Sequence, residues 1–501
     1  MKKTKDTKKV NKTTKASTAK KPKKKNVLFA AFEAAPFTKT GGLGDVAGSL
    51  PAKIKNDEYE VRVILPKLNS IPDEYVSKMK YITNFEVKLG WRNAYCGLFT
   101  LKKNGVTYYF LDNEYYFFRS NVYGEFDDGE RVAFFSKAIL ESIRYFSPKF
   151  MPDIIHCNDW HTALVPVFLR EFYMEIEGFE NIKTVFTIHN LKFQGQYDSF
   201  VMGDILGLDG RASSGQLIHD DAANYLQGAV IYADSITTVS PTYAEEICTP
   251  QYGEGLAGLF ESRKYKLRGI INGINNDDIN PQKDKNISAK YKKEDLLGKA
   301  KCKAELQKEL GFDVDPEIPL YVTVGRLTDQ KGTNLINDLL GEFAQRKMQF
   351  AILGTGEGEY EYSFMSMADF APKSFACRIM FSEKLSRKFY SGADAFIMPS
   401  QFEPCGLAQM MAMRYGTLPI VRETGGLKDT VKGYWDYGKE ANGFSFKDFD
   451  DNALRTAVDS SLDMWYNDHD TWDKLVENAM SEDFGWEKSA EKYRELYKSL
   501  I

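Results

Sequence analysis

Short apolar runs alternate with helical periodicity from residue 26 to the middle of the chain. A run of about four to eight apolar residues is typical of a buried strand, whereas apolar residues recurring every three or four positions are typical of a helix. Helical stretches of this kind occupy residues 132–145 and 163–176. The predicted strands are residues 26–32, 61–65, 153–156, 183–188 and 235–239. This alternation predicts a doubly wound sheet of parallel strands.

A second series of the same kind follows a polar segment at residues 270–290. Its predicted strands are residues 320–324, 350–353, 377–381, 395–398 and 418–421. Residues 81–112 interrupt the first series with Gly- and aromatic-rich alternation, which predicts a β-hairpin insertion. The chain is therefore predicted to be an α/β protein with two Rossmann-like domains, residues 26–270 and 291–480, joined by a hinge or linker at 271–290. Since ligands bind at the carboxyl ends of such strands, we expect the site in the cleft between the domains.

Length and composition agree with this plan. A chain of 501 residues is long enough for two domains. No run approaches the roughly 18 apolar residues that a membrane helix needs, so we expect no membrane span. The six cysteines show no C-x-x-C spacing, which favours reduced thiols in the cytoplasm over disulfide bonds or a zinc site.

The N-terminal residues 1–25 differ in charge from the rest of the chain. They contain twelve Lys and one Asp, a net charge of +11, whereas the whole chain carries −4 and the remainder therefore −15. A lysine-rich segment without aromatic residues is predicted to be disordered. It could contact RNA, an anionic surface or the acidic body of the protein, or serve only as a solubility tail. An organelle transit peptide is disfavoured, because such peptides are rich in Arg and Ser.

A glycine-rich segment follows the first predicted strand and precedes a helix. It reads Lys39-Thr40-Gly41-Gly42-Leu43-Gly44-Asp45-Val46. A glycine pair lets backbone N–H groups approach a ligand closely, and a helix N-terminus favours negative charge. The spacing is neither G-x-G-x-x-G nor that of a P-loop. The segment is either a tight turn with a solvated lysine or a seat for a phosphate or diphosphate.

Further polar residues follow the ends of other predicted strands, where the fold would place them in the cleft. These are His156, Asp159, His161, His189, Asn190, Arg326, Lys331, Glu403, Thr424, Gly425 and Gly426. Three of them, His156, Asp159 and His161, could also suggest a metal site, but no third histidine lies near in sequence. The Asp313-Val314-Asp315 triplet has the letters of a metal-binding Asp-x-Asp motif, but it precedes its strand and adjoins Pro316, so we interpret it as a turn. We expect no dedicated metal and no cofactor.

Six motifs in order resemble those of the bacterial glycogen synthases and plant starch synthases, which are retaining glycosyltransferases of the GT-B fold. The matching motifs are Lys39-Thr40-Gly41-Gly42-Leu43, Asp159-Trp160-His161, His189-Asn190, Arg326-Leu327 with Lys331-Gly332, Glu403-Pro404-Cys405-Gly406-Leu407 and Thr424-Gly425-Gly426-Leu427. The resemblance covers nearly all of residues 26–501. It implies an acceptor-side N-terminal domain, a nucleotide-sugar C-terminal domain, and a last helix within 481–501 that crosses back to the N-terminal domain.

The resemblance also implies roles for individual residues. Arg326 and Lys331 would hold the diphosphate of the donor, with Lys39, Asp45 and the Gly41-Gly42 backbone facing them. Glu403 would contact the glucose hydroxyls and steady the cationic sugar. Further substrate-binding residues implied are Cys405, Gly406, Leu407, Thr424, Gly425, Gly426 and Asn190. His189 would be a catalytic residue beside the anomeric carbon, and Asp159 and His161 would line the acceptor side.

The implied reaction is the transfer of glucose from ADP-glucose to the non-reducing end of an α-1,4-glucan with retention of configuration. No residue is placed as a covalent nucleophile, which favours attack from the face that the diphosphate leaves. Phe381 stands where the resemblance leads us to expect a tyrosine beside the adenine, so an aromatic face is kept and a hydroxyl is lost. Alternatives are a retaining GT-B transferase with another donor or acceptor, and a catalytically inactive glucan-binding scaffold. None of these requires a nucleic acid.

Overall fold

The computed structural model describes residues 24–211 and 214–501 of the chain. The predicted tail at residues 1–25 therefore lies outside the described residues, except for Lys24 and Lys25. Lys25 already begins the first strand. No helix of the described segments is long and apolar enough to cross a membrane.

A nine-stranded sheet forms the centre of the N-terminal domain, in the order β12-β11-β7-β6-β1-β2-β5-β4-β3. Three short strands, β8 to β10, form a small separate sheet. The bounds are β1 Lys25–Ala30, β2 Tyr59–Pro66, β3 Lys80–Leu89, β4 Arg92–Lys103, β5 Val106–Asp112, β6 Ile154–Asn158, β7 Lys183–Ile188, β8 Gln196–Asp198, β9 Ile218–His219, β10 Ala222–Asn224, β11 Ser235–Thr238 and β12 Leu267–Gly269. Strands β12 to β5 of the large sheet run parallel.

The segment predicted as a hairpin insertion, residues 81–112, contains three strands. Strands β3 and β4 pair antiparallel, as do β4 and β5, but β5 also pairs parallel with β2. Five of the seven residues of β5 are buried, as in the other central strands. The segment therefore extends the main sheet instead of standing apart from it.

A six-stranded parallel sheet forms the C-terminal domain, in the order β15-β14-β13-β16-β17-β18. Its bounds are β13 Leu320–Val324, β14 Gln349–Gly354, β15 Phe375–Ile379, β16 Ala395–Met398, β17 Leu418–Arg422 and β18 Phe444–Phe446. Strand β15 ends two residues before Phe381, which therefore lies in the loop at its carboxyl end.

Helices separate most of these strands in both domains, and three further helices follow the last strand. Their bounds are α1 Gly42–Ile54, α2 Asp73–Val76, α3 Glu114–Phe117, α4 Asp128–Ser142, α5 Leu164–Phe168, α6 Val201–Asp204, α7 Tyr225–Tyr232, α8 Pro241–Glu246, α9 Ala257–Ser262, α10 Leu297–Leu310, α11 Thr333–Phe343, α12 Gly358–Phe370, α13 Glu383–Gly392, α14 Ala408–Arg414, α15 Gly425–Thr430, α16 Tyr434–Tyr437, α17 Asp451–Asn467, α18 His469–Ser481 and α19 Trp486–Lys498.

Helix α19 belongs to the hydrophobic core of the N-terminal domain although it ends the chain. Its Trp486, Tyr493 and Tyr497 are buried in that core. The hydroxyl of Tyr497 lies 2.6 Å from Nδ1 of His156, and Nε2 of the same ring lies 2.6 Å from Oγ1 of Thr187. His156 is thus a buried, fully bonded core residue, which removes it from any metal site.

The chain crosses between the domains twice at neighbouring positions. The N–H of Ile274 donates to the carbonyl of Phe484 at 2.8 Å. Beyond this point the predicted linker is anchored to the C-terminal domain, because Arg387 pairs with Asp278 and the Tyr291 hydroxyl donates to the carbonyl of Tyr415 at 2.8 Å. The part of the linker that is free to bend is therefore short and lies near residues 270–274.

Candidate functional site

The buried carboxylate of Glu33 holds the glycine-rich loop in place through hydrogen bonds. Its Oε2 accepts the N–H and the hydroxyl of Thr40 at 2.6 and 2.7 Å, and its Oε1 accepts the N–H of Gly44 at 3.0 Å. Burial raises the pKa of Glu33, and the hydrogen bonds from the loop oppose that shift. Glu33 was missed by the sequence analysis, although a carboxylate in an otherwise apolar run at the end of a strand is a signal that could have found it.

The two glycines themselves face the other domain. A Cβ atom added to Gly42 would lie 4.0 Å from Cδ1 of Leu407, and one added to Gly41 would meet nothing within 4 Å. The loop therefore lies opposite the Glu403–Leu407 turn with open space beside it. That space is where a ligand can contact both domains.

Lys39 crosses the cleft at this point. Its Nζ lies 2.9 Å from Oδ1 of Asp45 and 2.7 Å from Oε1 of Glu383. Glu383 is the first residue of α13 and follows Phe381, whose side chain is 80% exposed. The structure thus brings Lys39, Asp45 and Glu383 together across the cleft, with Phe381 two residues before Glu383 in the chain. Glu383 was not singled out by the sequence analysis.

The cationic side of the site comes from the loop that follows β13. The Arg326 side chain is exposed, and it makes a long hydrogen bond of 3.4 Å from its Nη2 to Oε1 of Gln330. Lys331 lies deeper, and its Nζ is 2.5 Å from Oε2 of Glu403. Glu403 is 5% exposed and also accepts the Ser400 hydroxyl at 3.2 Å. The largely buried carboxylate of Glu403 is thus held by one cationic side chain and one hydroxyl group.

Close backbone contacts explain several glycines around this pair. A Cβ on Gly332 would lie 2.1 Å from the carbonyl of Pro399, and Gly332 has a φ of 70°. A Cβ on Gly425 or Gly426 would lie 2.0 Å from the carbonyl of Glu403 or Cys405, respectively. These glycines allow three loops to pack against one another around Glu403.

The Thr424-Gly425-Gly426 segment donates its hydrogen bonds to protein groups. The Thr424 hydroxyl and the Gly425 N–H donate to the Glu246 carboxylate at 3.0 and 3.1 Å, and the Gly426 N–H donates to the Glu403 carbonyl at 3.1 Å. These donors hold protein groups, so they are not free to surround a ligand in this conformation.

The Glu403–Leu407 turn divides into a buried and an accessible part. Cys405 is buried, and burial raises the pKa of its thiol to about 12, so it does not supply a thiolate. Gly406 and Leu407 are half-buried and immediately precede α14. Of the residues predicted in this turn, Leu407 faces Gly42 of the glycine-rich loop.

Asp159 and His189 form the N-terminal wall of the site. Asp159 has a φ of 60°, and its Oδ1 accepts the backbone N–H groups of His189 and Asn190 at 2.9 and 3.4 Å. Burial raises the pKa of Asp159 to about 7, against the effect of these hydrogen bonds. Nε2 of His189 lies 3.0 Å from Oδ1 of Asn158, and burial lowers the His189 pKa to about 3. The ring is therefore uncharged near neutral pH, and its backbone is held by Asp159.

His161 is less accessible than the sequence predicted. Its ring stacks on Phe32, with centroids 5.3 Å apart, and lies 4.4 Å from the ring centroid of Tyr123. Burial lowers its pKa to about 3. The ring is therefore uncharged near neutral pH and packs among aromatic side chains. No group of three or more His, Cys, Asp or Glu residues within 24–211 and 214–501 is arranged to hold a metal ion.

Comparison with known proteins gives matches along both domains. The model of the starch synthase catalytic domain matches residues 26–262, and the model of glycosyl transferases group 1 matches residues 303–481. The chain is 48% identical to the glycogen synthase of Desulfitobacterium hafniense over 475 residues, which cover 95% of this chain and 99% of that protein. It is 47% identical to the glycogen synthase of Clostridium novyi over 477 residues, with the same coverage.

Solved structures give the same result. The catalytic domain of starch synthase IV from Arabidopsis thaliana, bound to ADP and acarbose, has a TM-score of 0.87 at 34% identity and covers 95% of this chain and 99% of its own. A sucrose-phosphate synthase from Thermosynechococcus elongatus, at 18% identity and a TM-score of 0.58 with the same coverage, shares the fold alone. The predicted GT-B architecture is confirmed.

Proposed function

Because this chain belongs to the family of bacterial glycogen synthases and plant starch synthases, we propose that it transfers glucose from ADP-glucose to the non-reducing end of an α-1,4-glucan. The observation that carries this proposal is the convergence of Arg326, Lys331, Glu403 and the glycine-rich loop on one cleft. Glucan synthesis is the activity of the family to which the chain belongs. We infer in addition that the donor nucleotide is ADP and that glucose is added at the non-reducing end.

Two features of the cleft and one related structure support an adenine nucleotide sugar as the donor. Arg326 and Lys331 place two cations where a diphosphate would leave, and preorganised charges of this kind act most strongly away from water. Phe381 offers an exposed aromatic face for a base to stack on. The related Arabidopsis structure contains ADP, which supports ADP-glucose over UDP-glucose.

The reacting sugar would be stabilised from two sides. Transfer builds positive charge on the anomeric carbon, and the carboxylate of Glu403, which Lys331 holds in place, is the group that would stabilise that charge. On the other side, the uncharged ring of His189 does not repel the cationic sugar, and Asp159 fixes the backbone that would present its carbonyl. The acceptor hydroxyl would attack from the face that ADP leaves, giving retention.

The enzyme is expected to work without a metal ion or cofactor and in the cytoplasm. We expect no metal or cofactor to be needed, since Arg326 and Lys331 supply the charge that a metal would otherwise give to the diphosphate. The six cysteines, Cys96, Cys157, Cys248, Cys302, Cys377 and Cys405, are unpaired, which suits the reducing cytoplasm.

A released-nucleotide assay tests the proposal. We expect turnover with ADP-glucose and glycogen, little with UDP-glucose, and no loss of rate in a chelator. Faster turnover with UDP-glucose would overturn the donor assignment. Tight glycogen binding with no nucleotide release from either donor would favour the inactive scaffold instead.

A further inference from the structure

A groove lies on the C-terminal domain outside the cleft. A cavity of about 440 Å³ is lined by Tyr434 and Trp435 on one side and by residues of α17 on the other. The polar α17 residues are Thr456, Asp459, Ser460 and Asp463, and Met464 of the same helix also lines the cavity. Their spacing of three, four and seven positions places them on one face of the helix. None of these residues belongs to the site described above.

The groove continues along the same helix. A second cavity of about 350 Å³ shares Asp459 and Asp463 with the first and ends at Tyr466 and Lys347. The distance along α17 from Thr456 to Asn467 is about 16 Å at 1.5 Å per residue. The groove is therefore long enough for an extended ligand. It has an exposed aromatic ring at each end, Trp435 and Tyr466.

The lining restricts the chemistry of that ligand. The first cavity has three carboxylates, with Asp468 as the third, and no Lys or Arg, so it disfavours phosphates. The second cavity adds Arg346, which pairs with Asp459, and Lys347, whose Nζ lies 4.9 Å from the centroid of the Tyr466 ring. Carboxylates also make it a poor site for a purely apolar ligand. Among the described residues no acidic cluster is arranged to hold a metal ion. A neutral, hydroxyl-rich molecule fits the remaining possibilities.

The polar groups of the floor are already oriented. Arg346 donates two hydrogen bonds to Asp459, at 2.6 and 3.0 Å, and Asn467 donates to Asp463 at 2.7 Å. Each carboxylate has about four lone-pair positions, so both can still accept hydroxyl groups. Trp435 is 65% exposed and offers a flat apolar face. A fixed acceptor beside an exposed ring is the combination that binds a sugar, whose ring has one apolar face and a hydroxylated rim.

We propose that this groove is a second binding site for the α-glucan, separate from the cleft. The proposal rests on the proposed function, since it takes the same polymer as its ligand. A long chain held in the groove raises the effective concentration of chain ends near the cleft. A short oligosaccharide cannot reach both sites and gains nothing.

Kinetics with two acceptors test this. For Trp435→Ala we expect the KM for glycogen to rise roughly tenfold, because a second point of attachment is lost, while kcat and the KM for maltotriose stay unchanged. The matched control is Tyr362→Ala, which removes a 72% exposed aromatic ring of α12 in the same domain and should change neither value. Equal KM values for glycogen in the two variants would overturn the proposal, and so would a parallel rise with maltotriose.

Direct binding gives a test that does not depend on turnover. In isothermal titration with maltoheptaose, we expect Asp463→Ala and Trp435→Ala each to remove one of two classes of site and to leave the thermal unfolding temperature near that of the unaltered protein. A single class of site in the unaltered protein would contradict the proposal. Failure of the proposed function would look different, since the unaltered protein would then release no nucleotide with either acceptor.

Discussion

At the residue scale, Glu33 shows how a group that touches no ligand can set the geometry of a site. Its carboxylate accepts three hydrogen bonds from the loop between Thr40 and Gly44. The loop N–H groups can meet a diphosphate only while this loop keeps its shape. Glu33 is therefore a positioning residue for the donor.

Replacing Glu33 by Gln should lower kcat/KM for ADP-glucose by roughly 10²-fold, the cost of a misplacement of about 1 Å. The amide group of Gln cannot accept from all three donors. Steady-state kinetics with donor and acceptor varied in turn measure this. Glu33→Asp, which keeps the charge, should recover part of the loss. An equal fall in the two variants, or a KM for acceptor that rises as much as that for donor, would mean that Glu33 only supports the fold.

Asp159 predicts a pH dependence of stability. Its pKa of about 7 in the folded chain lies above the ordinary aspartate value of 3.8. Between these values the folded chain holds a proton that the unfolded chain has released. The contribution of Asp159 to stability is therefore present below about 3.8 and is lost as the pH rises through 7.

Urea unfolding of the unaltered protein and of Asp159→Asn across pH 5 to 8 measures this effect. The unaltered protein should show an extra downward slope of up to about 1.4 kcal/mol per pH unit below pH 7, since one proton is involved. The variant should lack it. Identical slopes in the two proteins would contradict the assignment.

At the scale of elements, helices α8 and α15 hold each other across the domain boundary. Asp429 of α15 accepts from the Thr242 N–H at 3.0 Å and from the Thr242 hydroxyl at 2.6 Å. In return Glu246 of α8 accepts from the Gly425 N–H at 3.1 Å. Each helix thus supplies the carboxylate that satisfies the free N–H groups at the start of the other.

Glu246→Gln should lower the free energy of unfolding by about 1 kcal/mol, the usual worth of such a cap. The control is Glu245→Gln on the same helix, whose exposed side chain pairs with Lys264 and should matter little. Urea midpoints compare the two. Equal urea midpoints for Glu246→Gln and Glu245→Gln would show that the contact between α8 and α15 does not stabilise the domain boundary.

Elements and contacts differ in how far the sequence predicts them. Strands 320–324 and 395–398 were predicted to the residue, because proline, glycine or aspartate bounds each of these apolar runs. Strand β18 was missed, since three residues are too few to establish a period. The pairing of Glu246 with Gly425 and of Lys39 with Glu383 could not be predicted, because each joins residues far apart in the chain.

At the scale of the whole molecule, the donor should control closure of the cleft. The Lys39–Glu383 pair is partly exposed, and such pairs contribute only about 0–1 kcal/mol. It cannot hold the domains together alone. A diphosphate that contacts the glycine-rich loop and Arg326 at once supplies binding energy only when the domains meet.

X-ray scattering should therefore show a smaller radius of gyration when ADP saturates the protein. Adenosine, which lacks the diphosphate, should leave it unchanged. The short segment near residues 270–274 would absorb the movement, since the linker beyond it is anchored to the C-terminal domain. A radius that does not change with ADP would rule out closure by the donor.

The central claim is that the cleft holds the nucleotide through one set of residues and stabilises the reacting sugar through another. Glu403→Gln keeps the shape of the side chain, removes its charge and frees Lys331 for the diphosphate. We predict ADP affinity equal to or above that of the unaltered protein, with turnover lower by orders of magnitude, whereas Arg326→Ala should weaken both. The deciding measurement is ADP affinity and turnover in the same preparation of Glu403→Gln. An equal loss of both would contradict this account, and so would turnover that is retained.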